Sequence, residues 1–75
     1  MKINAVIRAI MLDKKLRIVN MSDLLDLNQG TISARLNHVN MSMNTVLEML
    51  DPLGYELIAR PKLENLQKDE FLITK

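Results

Sequence analysis

At 75 residues the chain is long enough for one small domain, and a domain of that size buries only about 60% of its unfolded surface. It has no cysteine and a single histidine, so neither disulfides nor a metal or other cofactor is expected to reinforce it, and oligomerisation is the remaining support. Hydrophobic residues make up 48% and aromatics only 3%, which specifies an aliphatic core, and a net charge of +1 excludes a strongly basic protein.

Ile3, Val6, Ile7, Ile10 and Met11 recur at i, i+3, i+4, i+7 and i+8. That spacing predicts an amphipathic helix over residues 3–14, with Lys2, Asn4, Arg8 and Asp13 largely on its other face. The polar face is too mixed in charge for a membrane surface, so packing against the following helices is expected. Arg8 also interrupts the apolar run after Lys2, and no small-residue cleavage site follows. No secretory signal or membrane span is therefore read here, and a cytoplasmic location is expected. Charge is unevenly spread. Residues 1–20 carry Lys2, Arg8, Lys14, Lys15 and Arg17 against Asp13 alone, whereas residues 21–60 carry Arg35 and Arg60 against five acids. Lys14, Lys15 and Arg17 stand just before the second helix, where a solvated surface is the plain expectation and phosphate contact the functional one.

Residues 18–37, IVNMSDLLDLNQGTISARLN, predict two short helices, Ile18–Leu25 and Gln29–Asn37, joined by a tight turn. Met21, Leu25, Leu27, Ile32 and Leu36 are spaced to close a small core between them. Ser22 is compact where the helices approach, and Asp26 tolerates the left-handed backbone that such a turn often demands. Asn28 is placed to cap the second of the two. Gln29, Gly30, Thr31, Ser33 and Ala34 then face outward, short, uncharged and in part able to hydrogen-bond. A helix entering the DNA major groove needs such a face, because bulk would block its approach.

His38 to Met41 makes a connection, and Ser42 is a cap for a fourth helix marked by Met43, Val46, Leu47 and Leu50. Pro52 should end that helix near Leu50, with Gly54 as the stop beyond it. From Tyr55 the period changes. YELIARP and FLIT are short β-rich runs, and a hairpin of the two across the polar KLENLQKDE is the preferred reading. Tyr55 is most simply a strand residue with its ring buried. A lone two-stranded hairpin is barely stable in water, so it should pack on the helices or pair with a second subunit. Residues 1–54 thus read as a helix-turn-helix DNA-binding domain and 55–75 as a strand or hairpin extension of it. Tyr55, Leu57, Ile58, Phe71 and Ile73 are the candidate dimer contacts.

No catalytic residue is assigned. Serines are present, but His38 is the only histidine, there is no cysteine, and Gly30 and Gly54 lie too far apart for a phosphate loop. His38 itself reads as an exposed loop residue, with a phosphate or base-edge contact as the alternative.

The stretch from Met21 to Gly54, through NQGTIS and ARLNHVNMSMNTVLEMLDPLGYEL, resembles the Cro and phage-repressor class of helix-turn-helix proteins, the Xre family. The resemblance implies a mainly α, compact four-to-five-helix repressor-like domain with a short C-terminal β-strand or hairpin. It is similar to short regulators of bacterial mobile elements and toxin–antitoxin operons. It implies a base-reading role for Gln29, groove or phosphate contacts for Asn28, Thr31 and Ser33, and backbone contacts for Asn37 and Asn40. The family usually has Ala where Ser22 stands and Gly where Asp26 stands, both sterically mild changes. Ile18 replaces a polar residue that often anchors to phosphate. Arg35 occupies a usually apolar site, with Leu36 beside it taking over the packing and Arg35 turning outward to a phosphate. The expected function is a homodimeric transcriptional regulator, a repressor on an inverted-repeat DNA operator. The alternative is an antitoxin-type module that binds a toxin or other protein partner and represses its own operon.

Overall fold

The computed structural model describes residues 1–62 and 70–74. Four helices, α1 (Ile3–Asp13), α2 (Ile18–Leu25), α3 (Gln29–Leu36) and α4 (Met43–Leu50), run into a 3-10 turn at Asp51–Leu53. Two strands follow, β1 (Leu57–Ala59) and β2 (Phe71–Ile73), paired antiparallel. The expected compact, mainly helical domain with a C-terminal hairpin is what the chain forms. Helix bounds agree with those read from periodicity to within one residue at each end. Most of the connection expected between the strands, residues 63–69, lies outside the described residues.

The core is aliphatic. Ile7, Ile10 and Met11 of α1, Met21 of α2, Ile32 and Leu36 of α3, and Val46, Met49 and Leu50 of α4 form one buried cluster with Leu53. Leu25 and Leu27 pack against it as partly buried neighbours. Each fully buried side chain of this size contributes about 1.5–3 kcal/mol, which the chain needs at its length. No polar side chain is buried among the described residues. No helix there is long and apolar enough to cross a membrane.

Helices α1 and α2 and the 3-10 turn after α4 stop by the same device, whereas α3 ends on Asn37 with right-handed backbone. Lys15 takes φ 58° after α1, and its own N–H and that of Leu16 return to the carbonyls of Leu12 and Met11. Asp26 takes φ 55° after α2, with its N–H and that of Leu27 both reaching the Ser22 carbonyl. Gly54 takes φ 76° after the 3-10 turn, and the Tyr55 N–H returns to Leu50. A left-handed residue lets the next amides fold back onto carbonyls that the helix end leaves unpaired. Only Gly54 adopts that conformation without steric cost. The starts are equally explicit, since Asn28 Oδ1 accepts the Thr31 N–H at 2.8 Å and Ser42 Oγ that of Thr45 at 3.2 Å.

In the hairpin Leu57 pairs with Ile73, Ile58 with Leu72 and Ala59 with Phe71. Successive side chains alternate across the pleat, so Leu57 and Ile73 share one side and Ile58 and Leu72 the other. Leu57 packs against the helical core, while Ile58, Phe71 and Leu72 are 46%, 69% and 57% exposed. Tyr55 differs from expectation. It precedes the strand, is half-exposed, and has Lys14 Nζ 5.9 Å from its ring centroid. The ammonium is drawn to the ring face, a contact worth about 0.5–1 kcal/mol at an exposed site.

Candidate nucleic-acid interface

Helix α3 carries the candidate base contacts, and its neighbours decide which of its sides is free. Ile32 and Leu36 are fully buried, fixing the inward direction. At 3.6 residues per turn, Gly30, Ala34 and Asn37 fall opposite, and all three are exposed. The ridge of the helix thus bears hydrogen, a methyl group and a short amide. A Cβ added at Gly30 would lie 3.3 Å from the Asn28 cap oxygen, so the ridge is narrowest where the cap is made.

The other candidates flank that ridge. Gln29, exposed, borders an open concavity with Arg8 and Arg17, floored by Met11, Leu16 and Leu36. Ser33 lies on the same flank by helical geometry and is half-buried. Thr31 and Arg35, both half-buried, border a second concavity on the opposite flank with His38, Asn40, Ser42 and Thr45. Asn28 is exposed at the start of the helix with its side-chain oxygen already accepting the Thr31 amide. The fold therefore brings Gln29 together with Arg17, and Thr31 together with Arg35 and Asn40.

Lys14 is separated from the first group, since its ammonium lies over Tyr55 at the hairpin. Lys15 is exposed in the loop between α1 and α2. Asn37 accepts a hydrogen bond from Arg8 Nη2 at 2.9 Å. Arg35 does not stand clear of the protein as expected. Its Nη1 pairs with Glu48 Oε1 of α4 at 2.5 Å, and the same nitrogen is 3.9 Å from the Met49 sulfur. Leu36 does take the packing position, as expected, and the turn of the helix then sends Arg35 toward α4. Arg35 and Glu48 keep 23% and 40% side-chain exposure, so the pair is water-accessible and worth about 0.2–1 kcal/mol.

Two features were missed from sequence. Asn4 and Arg8 of α1 both donate to the Leu36 carbonyl. Their i, i+4 spacing marks a polar pair on one helix face, but nothing local names a partner about thirty residues away. Ser22 is compact, as its place between the helices requires, and its hydroxyl also donates to the Leu27 carbonyl and so ties the end of α2 to the turn. Among the candidate dimer contacts, Tyr55, Ile58 and Phe71 are exposed, whereas Leu57 and Ile73 are half-buried and Leu57 already packs on the helices. Leu72, not among the candidates, is the exposed cross-strand partner of Ile58.

Compared with protein-family models, with curated proteins and with solved structures, the chain matches none.

Proposed function

We propose that the protein is a sequence-specific double-stranded DNA-binding regulator, a homodimeric repressor that lays α3 in the major groove of each half of an inverted-repeat operator. One observation carries this reading: α3 projects its smallest side chains, Gly30 and Ala34, and keeps hydrogen-bonding and cationic groups on both flanks. An α-helix about 10–12 Å across nearly fills a major groove about 12 Å wide. A narrow ridge lets it enter, and the two phosphate walls then meet whatever stands beside the ridge. Here those groups are Arg17 on one side, and Asn40 with the Glu48-paired Arg35 on the other. Gln29 would read adenine through its amide, and the arginines would set register without reading sequence.

The exposed hairpin residues Ile58, Phe71 and Leu72 are the surface we assign to the second copy. A domain this small gains stability by association, and two-fold pairing matches a palindromic site with half-sites about one helical turn apart. The same apolar surface is the one observation that favours an antitoxin-type role, in which another protein covers it. The present reading takes the second copy.

Random-site selection followed by titration across salt concentration tests the proposal. A palindromic consensus and a shallow salt slope are expected. Gln29→Ala should lose about 1–3 kcal/mol of discrimination at one base pair per half-site. Equal weakening on operator and random DNA would remove Gln29 from base reading, and failure to select any sequence would remove the regulator reading altogether.

A further inference from the structure

The C-terminal end of α3 is held from outside the helix-turn-helix unit. The Leu36 carbonyl is left over there, because its intrahelical partner would be the amide of position 40, beyond the helix. Two side chains of α1 serve it: Asn4 Nδ2 donates at 3.1 Å and Arg8 Nη2 at 3.3 Å. The same Arg8 nitrogen donates to Asn37 Oδ1 at 2.9 Å, so one guanidinium bridges the last turn and the residue after it. Asn4 and Arg8 are one helical turn apart and reach the carbonyl from the same face of α1. A cation at this end also complements the negative pole of the α3 dipole. The opposite end is fixed independently by the Asn28 cap and by the Ser22–Leu27 bonds across the turn.

We propose that Asn4 and Arg8 form a clamp that sets the rotation and tilt of α3 relative to the core, and that they are positioning residues for base reading. The proposal rests on the DNA-binding reading above. Its physical basis is leverage. A side-chain tip about 5–6 Å from the helix axis moves by about 1 Å when the helix rotates by about 10°. That displacement carries a hydrogen bond of ordinary length outside its effective range. A ridge flanked by readers on both sides discriminates bases only if its azimuth is fixed. The burial of Ile32 and Leu36 sets which side of α3 faces inward, but apolar contacts are non-directional and leave the fine rotation loosely defined. Hydrogen bonds to a backbone carbonyl at the end of the helix are directional and supply that constraint.

The test uses Asn4→Ala, Arg8→Lys and the double variant of the whole chain. Arg8→Lys keeps the charge and loses the planar fork. Two readouts are needed: amide hydrogen exchange of Asn37 and His38 in the free protein, and the ratio of affinities for the selected site and for random DNA. The clamp predicts faster exchange at both amides in each variant. It also predicts a fall in the affinity ratio of about fivefold in the double variant, the worth of roughly one net hydrogen bond. Binding to random DNA should change by less than about twofold, since no phosphate contact is removed. Equal weakening on both DNAs would make Arg8 a phosphate contact and overturn the positioning role. Unchanged exchange would overturn the clamp whatever the DNA result. Faster exchange with an unchanged ratio would leave Asn4 and Arg8 as structural only and overturn the proposal. A wild-type chain that selects no sequence would instead sink the regulator reading, while exchange still reports whether α1 holds α3. If the double variant melts below assay temperature, the two single variants carry the same comparison.

Discussion

Residues 3–54 close most of their helix ends within the same chain, whereas the hairpin beyond them leaves most of its described apolar surface in water. In the helical part, three left-handed stops and two side-chain caps pair the amides and carbonyls at its ends, and ten residues form one buried cluster. In the hairpin, three cross-strand pairs hold two short strands, and of its described residues only Leu57 joins the helical core. Isolated hairpins of this kind are marginal in water, so the second region depends on what it packs against, which within the described residues is the helical core at Leu57. If the proposed dimer forms through the hairpin, folding and association are handled by separate surfaces. The ridge of α3 is made of small side chains and is complete in one copy, while the hairpin exposes apolar side chains that the proposed reading gives to a second copy.

Substitutions that keep to one side of this division should have separable effects, and the largest belongs to the helical core. Ile32→Ala removes a fully buried side chain from the inner face of α3 and should cost about 2–5 kcal/mol in urea unfolding. Phe71→Ser, at 69% exposure, should change the unfolding free energy of the dissociated chain by less than about 0.5 kcal/mol. If Phe71→Ser costs as much as Ile32→Ala under dissociating conditions, the hairpin belongs to the helical core after all.

Association is the next largest effect. Ile58→Ser with Leu72→Ser replaces an exposed cross-strand pair. Loss of two apolar contacts per copy should raise the dimer dissociation constant by at least about tenfold in sedimentation equilibrium. The preferred base sequence should not change, because α3 is untouched. A dimer of unaltered strength would move the interface off the hairpin, and an altered consensus would couple the two regions.

A smaller effect separates the two flanks of α3. Glu48→Gln keeps the shape of the side chain and removes the charge that holds Arg35 toward α4. Stability should fall by less than about 1 kcal/mol, because the pair is half-exposed. DNA affinity should rise, with the salt slope steeper by up to about 1 as Arg35, released from Glu48, engages phosphate fully. A slope unchanged from wild type would confine Arg35 to the protein.

What was legible in the sequence was local. The Asn28 and Ser42 caps, the stop at Gly54 and the left-handed Asp26 each depend on a residue and its neighbours within about one turn, so periodicity and turn chemistry place them. The contacts that shape the interface are not local. Asn4 and Arg8 meet Leu36 across the whole helix-turn-helix unit, and Arg35 meets Glu48 across the loop and the start of α4. Strand register was equally hidden. Phe71, Leu72 and Ile73 are all apolar, so alternation could not show which of them shares a side with Leu57. Lys15 is a different case. A lysine is no marker for a left-handed stop, and only the two amides returning to Leu12 and Met11 reveal one.

The smallest effect concerns that turn chemistry and sets the precision of the comparison. Asp26 holds φ 55° and ψ 45°, a region in which a side chain crowds the following carbonyl. The turn nevertheless forms, because the Asp26 and Leu27 amides both find the Ser22 carbonyl and the Ser22 hydroxyl donates to the Leu27 carbonyl. The strain is therefore borne by the helical region and offset within it. Asp26→Gly removes the crowding but gives the unfolded chain more freedom, so the two terms oppose. Steric relief should prevail, raising unfolding free energy by about 0.5–1 kcal/mol in urea. The dimer dissociation constant should stay the same, because the turn and the hairpin are separate surfaces. A destabilised Asp26→Gly variant would mean that the aspartate side chain itself supports the turn.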